Sequence, residues 1–197
     1  MSRLPDPSRF VSQNMGVSTM TDDEKAPSKI VYAPNPYPTW KRTIFLAGSI
    51  EMGTAEHWQD RIAQRIVSNG FPGAVLNPRR PDWDSSWVQD SSEGTPFSEQ
   101  VRWELNGIRG ADIVIFYFDG KTQSPITLME LGICIGKEIP MLIYCPKSFW
   151  RYGNVAFTVR HLWQTADFFD DEDDFLEELD RRTTDGAARI RDGQEGE

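Results

Sequence analysis

The sequence predicts a doubly wound α/β domain, a parallel sheet with helices on both faces. Three observations carry that expectation. Short apolar runs alternate with segments of helical periodicity, the pattern of consecutive βαβ units. One run, "ADIVIFYF" at 111–118, is apolar without interruption, as a strand covered on both faces must be. The stretches after the strands, "AGSIEMG", "NPRRPDWDSSW", "DGKTQS" and "CPKSFWRYGN", gather Gly, Ser, Asp, Arg, Trp and Asn, and a parallel sheet brings them to one edge.

The elements follow in order. "TIFLAG" (43–48) is a short apolar strand ending in a Gly-Ser turn. Residues 55–70 place Trp58, Ile62 and Ile66 at helical spacing before an Asn69-Gly70 stop. "AVLNP" (74–78) is the second strand, and 96–110 a helix with Phe97, Val101, Leu105 and Ile108 on its expected buried face. The run at 111–118 is the third strand. Residues 124–136, "SPITLMELGICIG", form a helix with Ser124 as N-cap and Pro125 in the first position. Ile126, Met129 and Ile133 define its buried face, and Gly132 allows another backbone to approach. "PMLIYC" (140–145) is the fourth strand. The arrangement is flavodoxin-like in outline.

The ends differ from this middle. Residues 1–28 are expected to be disordered and 29–41, dense in proline, to run extended along the domain. The domain is expected to span 29–165. Residues 166–197 form an acidic C-terminal helix and tail, the helix over 167–182 carrying Phe168, Phe169, Phe175 and Leu176.

Net charge is −9 with a pI near 4.8, which argues against a nucleic-acid partner, since phosphate backbones require clustered Lys and Arg. Cys134 and Cys145 lie in apolar segments without metal-type spacing and read as reduced thiols, which favours a cytoplasmic setting. No apolar run approaches the ~20 residues of a membrane span, and the N-terminus lacks a signal-peptide pattern. His57 and His161 are the two histidines, and no His/Cys/Asp cluster implies a metal or other cofactor.

Glu130 is the residue that the pattern leaves unexplained. An acid in the middle of an apolar helix either reaches solvent at the edge of the buried face or is held there for chemistry. Arg79 and Arg80 read as solvated loop residues. Trp83 and Trp87 read either as a base-stacking wall or as cover for a core edge, and Asp112 as structural.

"FLAGSIEMG", "WELNGIRGADIVI" and "SPITLMELGICIGKEIPMLIY", in that order, resemble the nucleoside 2-deoxyribosyltransferase family and its relatives that hydrolyse nucleotide N-glycosidic bonds, over roughly residues 42–160. The resemblance implies a nucleoside or nucleotide substrate and a homo-oligomer with sites completed across an interface. It also implies roles. Glu130 falls on the family's nucleophile, and Glu104 where the transferases carry an aspartate that contacts the base. Gly48 and Ser49 resemble the hydrolase branch, as does Ser124, which falls on a serine near the 5′-phosphate. Asn154 resembles an asparagine contributed by a neighbouring subunit. Phe45 stands where the family usually has a tyrosine that hydrogen-bonds the nucleophile, and Tyr117 or Asp119 is a candidate to compensate. With that donor lost, a non-catalytic nucleotide-binding module that kept the fold is the alternative reading.

The chemistry calls for these residue types. Breaking an N-glycosidic bond passes through an oxocarbenium-like sugar that a carboxylate on the opposite face can trap. The base leaves best when protonated, so a second acid beside it is useful.

Overall fold

A computed structural model describes residues 29–37, 42–50, 57–80, 87–90, 92–163 and 166–184. Among them, six strands form one parallel sheet: β1 (Lys29–Tyr32), β2 (Thr43–Gly48), β3 (Ala74–Asn77), β4 (Ile113–Tyr117), β5 (Met141–Tyr144) and β6 (Asp167–Phe169). Their order across the sheet is β1-β3-β2-β4-β5-β6. Five helices accompany them: α1 (Trp58–Ser68), α2 (Pro96–Gly110), α3 (Pro125–Gly136), α4 (Tyr152–Leu162) and α5 (Glu172–Thr184). The order reverses between β2 and β4, where a doubly wound sheet opens a crevice at its C-terminal edge. The expected fold class is the observed one.

Alternation along the strands divides the core in two. On one face Ile44, Leu46, Ile115 and Tyr117 pack with Trp58, Ile62 and Ile66 of α1 and Phe175 and Leu179 of α5. On the other, Phe45, Val114, Phe116 and Ile143 pack with Trp103 and Ile108 of α2, Leu131 and Cys134 of α3, and Val155 and Val159 of α4. Helix α1 buries the stripe its spacing predicts. Full burial of side chains this size is worth about 1.5–3 kcal/mol each.

Both edge strands come from segments that the sequence left outside the sheet. The proline-rich 29–37 contributes β1, which pairs with β3 from Lys29↔Ala74 to Tyr32↔Asn77. Pro34 and Pro36 follow directly after this edge strand, where proline's missing N–H is tolerated. The expected acidic helix over 167–182 is instead a three-residue strand, β6, and then α5. Phe168 and Phe169 therefore extend the sheet against Ile143 and Tyr144. Residues 1–28, 55–56 of the expected first helix, Trp83, and the tail from 185 lie outside the described residues.

Two helices turn differently from expectation. On α3 the buried residues are Thr127, Glu130, Leu131 and Cys134, whereas Ile126 is 57% and Met129 55% exposed. Ile133 is half-buried and Gly132 exposed, with no atom within 4 Å of where its Cβ would stand. The anchoring stripe expected from Ile126, Met129 and Ile133 thus faces outward. On α2 the buried residues are Gln100, Trp103, Gly107 and Ile108, and Phe97, Val101 and Leu105 are only half-buried. Both helices turn polar side chains toward the sheet at the crevice, and that choice fixes the rotation of the rest.

Candidate active site

Where the strand order reverses, two loops meet through their hydroxyls. The turn after β2 carries Ser49, and the loop after β4 carries Asp119, Thr122 and Ser124. Ser49 is fully buried, and its Oγ accepts the Asp119 N–H at 3.0 Å and the Thr122 hydroxyl at 2.8 Å. Ser49 Oγ and Ser124 Oγ lie 2.6 Å apart, and Thr122 Oγ1 is 2.8 Å from Ser124 Oγ. Trp58 Nε1 donates to the Ser49 carbonyl at 2.9 Å, tying α1 to the same turn. Gly48 is required by close approach: a Cβ there would stand 2.3 Å from the Tyr117 carbonyl oxygen and 2.5 Å from the Trp58 ring.

Ser124 precedes α3 as expected, but not as an ordinary cap. Its backbone is left-handed (φ 49°, ψ 51°), and its side chain makes no cap hydrogen bond. For a non-glycine residue that conformation costs about 1–2 kcal/mol. The hydroxyl lies instead within hydrogen-bond distance of Ser49 and Thr122.

Two acids lie about two turns inside α2 and α3. Glu130 is 7% exposed. Among the described residues none hydrogen-bonds its carboxyl. Burial, and then the charge of Glu104, push it up to about 8. Glu104 is half-buried, and burial of its carboxyl pushes it up to about 7, against the lowering effect of the Gln100 amide. Gln100 Nε2 donates to Glu104 Oε1 at 2.8 Å and to the Pro78 carbonyl at 2.9 Å. Helices α2 and α3, packed on the same face of the sheet, therefore carry two carboxyls that feel each other, each raised into the neutral range.

Gly107 lets α2 approach β2 closely, because a Cβ there would stand 2.6 Å from the Phe45 ring. Phe45 itself is fully buried against Trp103, with ring centroids 6.1 Å apart. It leaves no surface for a ligand, so its expected place among substrate-binding residues is corrected to a wall behind the α2 carboxyl.

Of the two candidates to stand in for the missing tyrosine, neither makes a described hydrogen bond to Glu130. Tyr117 lies on the opposite face of the sheet, stacked on Trp58 at 4.8 Å, with its hydroxyl donating to Glu172. Asp119 uses its carboxylate on its own loop, accepting the Lys121 N–H at 2.9 Å. Glu104 is thus the acid that the structure couples to Glu130. Asn154 is exposed on the first turn of α4.

Arg79 Nη2 is 3.1 Å from His57 Nε2, and Arg80 lies over the Trp87 ring at 4.8 Å. Arg79 and Arg80, read from the sequence as solvated loop residues, thus each have a neighbour, and Trp87 of the proposed aromatic pair lies under Arg80. Gln100 and Thr122 went unremarked in the sequence. The signal for Gln100 was its i,i+4 spacing to Glu104 on one face with Trp103 and Gly107. Thr122 had only the hydroxyl-rich "TQS".

The strand order makes this a doubly wound α/β protein, a class that binds ligands at the C-terminal edge of the sheet where the order reverses. The family model described as "Nucleoside 2-deoxyribosyltransferase like" matches residues 41–149, more than half of the chain, and the protein belongs to that family. No curated protein matches the chain in sequence. A solved structure described as a conserved protein from Enterococcus faecalis V583 aligns with a TM-score of 0.49 and 15% identity, over 72% of this chain and 98% of that one.

Proposed function

We propose that the protein is an N-glycosyl enzyme that cleaves or transfers the N-glycosidic bond of a nucleoside or nucleotide through a covalent glycosyl-Glu130 intermediate. The observation that carries this reading is the coupled burial of Glu130 and Glu104 at the switch-point crevice, with both carboxyls raised into the neutral range. Family membership supports the substrate class.

In the proposed sequence a Glu130 oxygen bonds to the anomeric carbon as the C–N bond breaks. The bond's electron pair leaves with the base, and protonated Glu104 gives the base its proton. Glu104, now a carboxylate, takes a proton from water as that water displaces Glu130 with net retention. A second base in place of water gives transfer. Glu130 must first pass its own proton to Glu104, which leaves Glu130 as the anion and Glu104 as the acid. A hydroxyl or amide donor arriving with substrate supplies the hydrogen bond that favours the anion.

Two further readings accompany this one. Ser124 at the start of α3, where backbone N–H groups and the helix dipole favour an anion, supports nucleotides over nucleosides. The outward Ile126 and Met129, with Trp150 (52% exposed) and Phe157 (70%), support a homo-oligomer in which a partner copy brings its own Asn154 to the site. Among the described residues no helix is long and apolar enough to cross a membrane. Cys134 and Cys145 are buried free thiols, which supports a cytoplasmic protein.

The test is a panel of nucleosides and 5′-nucleotides with and without an acceptor base, followed by a 2-fluoro-sugar nucleoside as a trap. The trap is expected to add its glycosyl mass at Glu130. The alternative, a non-catalytic nucleotide-binding module, draws on Phe45 and predicts ligand binding with no product and no adduct.

A further inference from the structure

Gln100 is 4% exposed, and its amide is used unevenly. Nε2 makes two hydrogen bonds, to Pro78 and to Glu104, while Oε1 is buried with no partner among the described residues. The Pro78 carbonyl can only accept, so it fixes which end of the amide points where, and the end that meets Glu104 must be a donor. A buried acceptor left without a partner is costly, and an apolar side chain of similar volume would avoid it. The polar residue at this position therefore has its use in what Nε2 does.

We propose that Gln100 is a positioning residue for the carboxyl pair: anchored on Pro78, it holds the Glu104 carboxyl in place and favours its charged form over that of Glu130. This rests on the reading of Glu104 and Glu130 as the working acids. Pro78 immediately follows β3, so the anchor belongs to the sheet rather than to α2, and the orientation of Glu104 is tied to the crevice. The donor strengthens the anion on Glu104 and not on Glu130, for which no donor exists among the described residues. One proton shared by the pair then rests on Glu130 in the free protein. Among the described residues, the other titratable groups that feel the pair are Tyr37, which packs on Trp103 at 5.1 Å and feels Glu104, and Cys134, one turn beyond Glu130. Burial raises both, Cys134 to about 12, so neither competes for the proton near neutrality.

The test is carboxyl carbon NMR titration of Glu104 and Glu130 in the ligand-free protein, in wild type, Gln100→Met and Gln100→Asn. Methionine matches the volume without a donor, and asparagine keeps the amide but withdraws it from Glu104. In wild type Glu104 is expected to titrate below Glu130. In both variants the proton affinity of Glu104 is expected to rise at least about threefold, with the order of the two acids merging or reversing. An unmoved Glu104 in a folded variant overturns the proposal, and so does failure of both variants to fold, which makes Gln100 part of the scaffold. The readout needs no turnover. Loss of the glycosyl-enzyme reading would show as an active Glu130 variant, and loss of this inference as an unmoved titration.

Discussion

Ser49 Oγ and Ser124 Oγ lie 2.6 Å apart although 75 residues separate them in the chain. This contact joins the two loops that meet where the strand order reverses, and Thr122 completes it. Ser49→Ala should leave the Asp119 N–H without its acceptor and cost about 1–3 kcal/mol. That is a fall in melting temperature of about 2–4 °C per kcal/mol for a chain of this size. An unchanged melting curve contradicts the structural role given to the cluster.

The backbone at Ser124 gives an independent check. Ser124→Ala and Ser124→Gly both lose the hydroxyl, but only glycine is at ease at φ 49°. The glycine variant should be more stable than the alanine variant by about 1 kcal/mol in denaturant unfolding. If the order is reversed, residue 124 is not left-handed. For function, Ser124→Ala should lower the preference for nucleotides over nucleosides, and an unchanged ratio removes the phosphate assignment.

The raised carboxyls imply a pH dependence of stability. In the unfolded chain Glu104 and Glu130 titrate near the ordinary value of about 4.3. In the folded protein they hold their protons up to about 7 and about 8. The folded state binds more protons in that window, so this contribution is complete below the unfolded value and is lost as pH rises through the folded ones. Glu130→Gln, neutral throughout, should lack its share. Its stability relative to wild type should rise between pH 5 and 8 in urea titrations. A difference that stays flat with pH means that Glu130 is not held as described.

An outward apolar face on α3 leads to a prediction about assembly. Light scattering is expected to find a homo-oligomer, and Met129→Glu, at a residue 55% exposed, should dissociate it without unfolding the chain. Activity should fall with dissociation if Asn154 serves the neighbouring site. A wild-type monomer with full activity at micromolar concentration contradicts both statements.

Much of the fold was legible because apolar periodicity reports burial. β2, β3, β4, β5 and α1 follow their patterns, as the stripe of Trp58, Ile62 and Ile66 illustrates. The edge strands were not legible. A four-residue strand among prolines and a three-residue strand ahead of an acidic helix carry little pattern, and their pairing is a tertiary event. The reading failed most on α2 and α3. Hydrophobicity assigned the inward face to Ile126 and Met129, and to Phe97 and Val101. The structure assigns it to Glu130, Thr127, Gln100 and the Glu104 carboxyl, so polar groups occupy positions that packing alone would give to apolar ones. Glu130 was conspicuous as an acid in an apolar run, whereas the hydroxyl cluster combines two loops whose meeting only the strand order reveals.

Turnover by Glu130→Gln tests the central claim most directly. The amide keeps the shape of the neutral acid and opens no cavity, so the fold should persist by circular dichroism and thermal melting, with substrate still bound. An amide is a very poor nucleophile, and nearly all turnover should disappear, as it should in Glu130→Ala. Retention of turnover within about tenfold of wild type, a barrier change of only ~1.4 kcal/mol, contradicts the assignment of Glu130 as the nucleophile.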